Sequence, residues 1–402
     1  MKLDGVSLAS LARKYGTPLY VYSAKTVRTR YARLIRAINR SDSLICYALK
    51  ANSNKALGRV LSGLGAGADI VSGGELDRAL AAGFKPERIV FSGVGKTQEE
   101  MRAALKRKIL AFHVESGEEL TALETVARRL NVRAPFSIRV NPDVKADTHH
   151  HITTGMSENK FGVESAEAAA LYERALRSKW LEPIGIQCHL GSQIVDPAPY
   201  GKALDHLLRI VDRLSKKGAR FRYVDVGGGI GIPYASGKKM AVDRFAATIR
   251  KRLENRPLTL LLEPGRWLVG PAGVLVTETL YRKKTSSRRF VVVDAGMNDL
   301  LRPALYDAEH TITSVTPRRG KKERFDLVGP VCETADRFVK GLMMPLPRPG
   351  DLLAIGEAGA YGFSMSSTYN SRPRPAEVLI DAAKAKLVRR RQRLSDLTRD
   401  ER

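Results

Sequence analysis

Leu44-Ile45-Cys46-Tyr47-Ala48-Leu49-Lys50 is a short apolar run that stops on a charge. Its length and content read as a buried strand, and similar short apolar runs recur at 68–71, 88–92, 109–114, 135–140, 184–189, 221–226 and 258–263. Amphipathic stretches separate them. Tyr200, Leu204, Leu207, Leu208, Val211 and Leu214, for example, fall on one helical face. An earlier helix, with Val27, Tyr31, Leu34, Ile35 and Ile38 at helical spacing, precedes the first strand. Eight strand–helix units in about 250 residues predict a (β/α)8 TIM barrel, spanning 26–270, rather than an open doubly wound sheet.

The polar and special residues then collect at one set of strand ends. Lys50 follows strand one, Asp69 and Ser72 belong to strand two, and Ser92-Gly93 end strand three. His113 ends strand four, Arg139 and Asn141 strand five, and His189 and Ser192 follow strand six. Gly227 to Gly229 follow strand seven, and Glu263 to Arg266 follow strand eight. Barrel enzymes build their sites on this C-terminal rim.

Beyond residue 270 the texture changes to strands and turns, at 273–280, 289–293, 325–328, 352–355 and 376–380, punctuated by Gly329-Pro330 and Arg348-Pro349-Gly350. An all-β domain over 271–402 is expected. Residues 1–25 join it through the strand Pro18-Leu19-Tyr20-Val21-Tyr22, and a basic helix from Asp381 to about Arg393 closes the chain.

Composition bounds the function classes. The 402 residues suit two domains, and 43% hydrophobic content is ordinary globular material. No segment approaches the ~18 apolar residues of a membrane helix, and Met1 to Ala9 has no signal-peptide pattern, so a soluble cytoplasmic protein is expected. The net charge of +26 is dispersed apart from clusters such as Arg389-Arg390-Arg391 and carries no RNA-binding signature. It reads as a solvated basic surface, with no nucleic-acid partner. Cys46, Cys188 and Cys332 are too widely spaced for a disulfide framework or a zinc cage, and the first two read as core. Adjacent side chains diverge in His149-His150-His151, and no acidic or cysteine partner stands at ligand spacing, so no metal is expected.

Several rim residues have a chemistry in view beside a blander explanation. A lysine ending a buried strand is costly unless neutralised or paired, and Schiff-base lysines need such desolvation. Taken alone, Lys50 still fits a surface position. Consecutive glycines after a strand, Gly227-Gly228-Gly229, serve equally as a tight turn or as an N–H cradle for phosphate. In Glu263-Pro264-Gly265-Arg266 the acid is placed to keep a pyridine nitrogen protonated, or else to pair locally with the arginine. His189 could stack on a flat ring with Ser192 donating to phosphate; alone it fits a structural hydrogen bond.

Taken together these segments resemble the diaminopimelate decarboxylases, pyridoxal-phosphate enzymes of the alanine racemase-like barrel fold. The blocks include Tyr47-Ala48-Leu49-Lys50-Ala51-Asn52, Asp69-Ile70-Val71-Ser72-Gly73-Gly74-Glu75, Phe91-Ser92-Gly93-Val94-Gly95-Lys96 and Asn159-Lys160-Phe161-Gly162. His189-Leu190-Gly191-Ser192-Gln193, Glu263-Pro264-Gly265-Arg266, Asp294-Ala295-Gly296-Met297-Asn298-Asp299, Gly329-Pro330-Val331-Cys332-Glu333-Thr334 and Gly359-Ala360-Tyr361-Gly362 continue the series. The resemblance implies pyridoxal phosphate held as a Schiff base on Lys50, with Ser192, Gly228, Gly229, Arg266 and Tyr361 around its phosphate. It implies Glu263, on the turn made by Pro264 and Gly265, and His189 against the ring, with Asp69 and Arg139 as supports.

It further implies a homodimer with shared sites, in which Cys332 comes from the partner as proton donor. Glu333 then holds the distal ammonium of an amino-acid substrate, and Arg266, Arg302, Tyr306 and Tyr361 line its binding site. The implied reaction is decarboxylation of meso-2,6-diaminopimelate to L-lysine. Ornithine, arginine or a carboxylated polyamine are the rival substrates, and a catalytically silent homologue is the rival class. Three positions depart from the usual pattern: Trp267 after the Glu-Pro-Gly-Arg block, Lys145, and Gln187 where histidine is common.

Overall fold

Ser43–Ala48 (β1) pairs in parallel with Gly67–Ile70 (β2) on one side and Thr259–Leu262 (β8) on the other, and that second pairing closes a ring. Between them run Ile89–Phe91 (β3), Ala111–Val114 (β4), Ala134–Arg139 (β5), Leu181–Gln187 (β6) and Tyr223–Asp225 (β7), in chain order around the closed barrel. All eight expected strands are present. β1 stops at Ala48, and Leu49–Ala51 is a 3-10 turn, so Lys50 stands just past the strand.

The interior is packed shut. Leu44, Cys46, Val90, Ala111, Ile184, Tyr223 and Leu261 form one buried cluster. Gly185 is required there, because a Cβ on it would lie 2.2 Å from the Tyr223 ring. Cys46 and Cys188 are both buried, as their apolar surroundings require. Local signals start the outer helices: Ser72 caps Gly73–Ala81, Ser116 caps Gly117–Leu130, and Thr97 with Glu100 forms a capping box on Gln98–Lys106.

The structure describes residues 1–144, 160–235, 237–315, 318 and 320–401. They divide into two compact units. The barrel unit is 30–232 with 239–267; the other is 1–29, 233–238 and 268–402. The His149-His150-His151 triplet, Lys145 and Asn159 lie outside the described residues.

The second unit is built on β-sheet. Leu19–Ser23 lies between Gly273–Lys284 (β9), to which it is antiparallel, and Ala376–Asp381, to which it is parallel. β9 also pairs with Arg289–Val293 (β10) and Leu352–Ile355. Leu8, Leu19, Val21, Val276, Val378 and Ile380 are among its buried core. The closing basic helix expected from Asp381 is not formed. Lys384–Arg389 is instead a strand antiparallel to Ala376–Asp381, and the only helix near the end is Ser395–Thr398 among the described residues. Ala382 and Ala383 both take positive φ, +46° and +58°, which makes a two-residue hairpin turn. Pairing to the neighbouring strand outweighs the helical propensity of an Ala- and Lys-rich segment.

Candidate active site

The Lys50 ammonium lies 2.8 Å from Asp69 Oδ2 at the end of β2. The Asp69 side chain is fully buried and that of Lys50 is 37% exposed, so the amine is reachable while its counter-charge is not. Burial first, and then the charge of Glu263, raise the Asp69 carboxyl above its ordinary range, against the pull of Lys50. The carboxylate is therefore a stronger base than an exposed one.

Glu263 follows β8 and is buried. His113 Nδ1, from β4, stands 3.1 Å from Glu263 Oε1, and Gln187 Nε2 donates to both oxygens at 3.3 and 3.5 Å. Burial alone would raise this carboxyl. The hydrogen bond and charge of His113, followed by the charge of Lys50, outweigh it and hold Glu263 below the usual carboxylate range. Asp225, at the end of β7, moves the other way: burial and the charge of Glu263 push it well up. Of these two acids Glu263 is the ionised one. One ring nitrogen of His113 and one carboxylate oxygen each of Asp225 and Glu263 all lie within 4.8 Å of one another.

The glycine segment after β7 is as tight as its sequence suggests. Gly227 and Gly229 take φ of +72° and +84°, and a Cβ on Gly228 would come within 2.2 Å of the Glu263 carbonyl oxygen. One on Gly229 would come within 2.2 Å of the Gly191 carbonyl oxygen. The Gly191-Ser192 loop therefore abuts these glycines, and Arg266 Nη2 donates to Ser192 Oγ at 2.9 Å. His189 Nδ1 accepts from Gly228 N at 3.2 Å. Burial, then the charges of Arg139 and Lys50, lower His189 to about 3, which makes it a neutral flat ring at physiological pH.

Pro264 and Gly265 turn the chain back against β1, where a Gly265 Cβ would meet Ala51 Cβ at 2.8 Å. Arg139 is buried at the end of β5, with Nη1 3.2 Å from both Glu115 oxygens and its guanidinium 4.7 Å from the Phe161 ring centroid. Trp267 turns to Arg30, whose guanidinium stacks 3.4 Å from the indole centroid.

Ser92, His113, Glu115, Gln187 and Asp225 join this rim without having been assigned a role from sequence. Ser92 and Glu115 sit one residue beyond the C-terminal ends of their strands, Gln187 and Asp225 at those ends, and His113 one residue before. That position was the signal available. Gln187, flagged as a departure, turns out to face Glu263.

The remaining sequence candidates belong to the second unit. Arg302 is buried; its Nη1 donates to Tyr234 Oη at 2.5 Å and lies 3.4 Å from His310 Nε2. Tyr306 ends the short helix that Arg302 begins, and Tyr361 takes φ +56°. Cys332 and Glu333 are exposed on a loop fixed by Asp336, whose carboxylate accepts from Val331 N and Met297 N at 2.7 Å each. Tyr369 Oη donates to Glu333 at 3.4 Å.

A closed parallel barrel with an accessible lysine on a buried acid, a buried ionised carboxylate and a glycine segment on one rim fits pyridoxal phosphate. The amine, the ring partner and the backbone cradle are all present. The family described as pyridoxal-dependent decarboxylase, pyridoxal binding domain, matches residues 24–270, and the chain belongs to these decarboxylases.

Among relatives, the diaminopimelate decarboxylase of Pseudomonas aeruginosa is 50% identical over 98% of this chain and 95% of its own, and that of Vibrio cholerae is 49% identical over 98% and 94%. The crystal structure of diaminopimelate decarboxylase from Helicobacter pylori complexed with L-lysine superposes with a TM-score of 0.94 at 45% identity, covering 97% of this chain and 98% of that one. Within the pyridoxal-dependent decarboxylases this chain is thus a member of the diaminopimelate decarboxylase family, with its alanine racemase-like fold.

Proposed function

We propose that this chain converts meso-2,6-diaminopimelate to L-lysine and carbon dioxide, the last step of lysine biosynthesis, as a cytoplasmic homodimer. The observation that carries the reading is the accessible Lys50 amine on buried Asp69, set on the same rim as the ionised Glu263. Lys50 would hold pyridoxal phosphate covalently, Glu263 and His189 its ring, and Ser192, Gly228, Gly229, Arg266 and Tyr361 its phosphate. When bound, that group supplies an electron sink for the pair left behind as carbon dioxide departs.

The chain's own residues do the rest. Asp69 Oδ2 takes a proton from Lys50 Nζ and leaves the neutral amine that covalent attachment requires. Glu263, held ionised, keeps a proton on the ring nitrogen it addresses. Neutral His189 offers a flat face without adding charge. Arg139, locked on Glu115, steadies the rim. Cys332 Sγ, contributed across the dimer, gives its proton to the carbon that has lost its carboxylate. Glu333 binds the distal ammonium, and Arg266, Arg302 and Tyr306 the distal carboxylate, with Tyr361 beside them.

Ornithine, arginine and carboxylated polyamines lack that second amino-acid centre and leave the Arg302 and Glu333 pair without a counterpart. They form the second choice. Carbon dioxide release from meso-diaminopimelate, ornithine and arginine, measured in parallel on purified holoenzyme, decides between them. Release should be fastest from meso-diaminopimelate; faster release from ornithine rejects the substrate assignment.

A further inference from the structure

His113 has no task in the reading above, yet it joins both ends of the site. Its ring is wholly buried, and Nδ1 lies 3.1 Å from Ser92 Oγ as well as 3.1 Å from Glu263 Oε1. An ionised carboxylate only accepts hydrogen bonds, so Nδ1 carries the hydrogen. Ser92 Oγ shares that hydrogen as a second acceptor, which leaves its own hydrogen for Asp69, whose Oδ1 has no hydrogen-bond partner among the described residues and whose charged form Ser92 favours. Asp69 is the partner of Lys50. A single series of side chains therefore runs Lys50, Asp69, Ser92, His113, Glu263, and it links five strand ends of the barrel. On its far side His113 Nε2 faces Asp225 Oδ2 across 3.9 Å, and neither atom has a hydrogen-bond partner among the described residues.

We infer that His113 is a positioning residue: it fixes the Glu263 carboxylate and ties it through Ser92 to the Lys50–Asp69 pair, so a change at one end of the site is felt at the other. A side chain present only to fill the barrel would not need a donor aimed at a carboxylate. An apolar residue of similar volume would leave the ionised Glu263 buried beside Asp225 with one hydrogen-bond donor fewer. The charged and titratable groups that face this series are His189, Asp225, Cys46, Glu75, Tyr223, whose ring centroid is 6.3 Å from that of His113, and Lys96, whose Nζ donates to the His113 carbonyl at 2.8 Å. Hydrogen bonds in such a buried series polarise one another, so removing the central member is felt at both ends.

The inference rests on the proposed reading in one respect, that Glu263 addresses the cofactor ring. It is tested on holoenzyme by the visible absorption of the bound cofactor, followed from about pH 6 to about pH 9 in wild type, His113→Asn, Glu263→Gln and the double variant. His113→Asn should move the spectral transition by about one pH unit, a tenfold change in the ionisation equilibrium. The double variant should match Glu263→Gln alone. A wild-type transition in His113→Asn overturns the inference, and so does a double variant that sums the two single shifts.

Should His113→Asn fail to fold with its cofactor, Ser92→Ala takes its place, since it leaves His113 and Glu263 together and breaks only the link to Asp69. Its transition should move too, and an unmoved one overturns the coupling. The spectra need no substrate. Failure of the diaminopimelate assignment would thus show in carbon dioxide release and leave these titrations intact.

Discussion

Glu75 shows how much one partly sheltered acid on this rim weighs. Its Oε2 accepts from Val71 N at 2.8 Å, and burial raises its pKa to about 7, with Asp69 adding repulsion. The folded chain therefore holds this proton more tightly than the unfolded chain does. The contribution to stability is full below the unfolded value of 4.5 and is lost as the pH climbs through about 7. Denaturant unfolding should thus show wild type less stable at the alkaline side of that window, by at most about 3 kcal/mol from this group. Glu75→Gln keeps an acceptor for Val71 N and should flatten that part of the profile; an unchanged slope would contradict the assignment. At the same scale, the departure at Trp267 has a structural outlet, because its indole is taken up by Arg30.

Among elements, the barrel strands were readable because each is short, apolar and bounded, and because eight of them repeat. The rim chemistry was legible in part for the same reason: strand ends are where barrel sites form. The tie between His113 and Glu263 was not legible, since β4 and β8 approach only through ring closure, which no local pattern records. The C-terminal hairpin was misread for a different reason. Alanine and lysine favour helix, and nothing in Asp381-Ala382-Ala383-Lys384 announces a turn with two positive φ angles. That conformation costs a non-glycine residue roughly 1–2 kcal/mol. Replacing Ala382-Ala383 by Asn-Gly, the residues this turn favours, should raise stability by about 1–2 kcal/mol in chemical denaturation. Loss of stability would mean that the turn is held in another geometry.

At the scale of the whole molecule, sharing of sites between subunits is the proposal with the widest reach. Lys50→Ala and Cys332→Ala chains should each be inactive as homodimers. Mixed by co-refolding or co-expression, they should recover about a quarter of wild-type activity, because half the random dimers are mixed and each of those holds one intact site. No recovery would place Lys50 and Cys332 in the same subunit's site. The net charge of +26 has no structural account beyond a dispersed basic surface.

The placement of Leu19–Ser23 inside the sheet, between β9 and Ala376–Asp381, also bears on how the protein is made. This segment leaves the ribosome before the barrel does, but both of its partners emerge only after the whole barrel sequence. During synthesis the barrel can close while the segment waits as an unpaired tether. The β-sheet unit is then finished last, by contacts of very long sequence separation that slow folding.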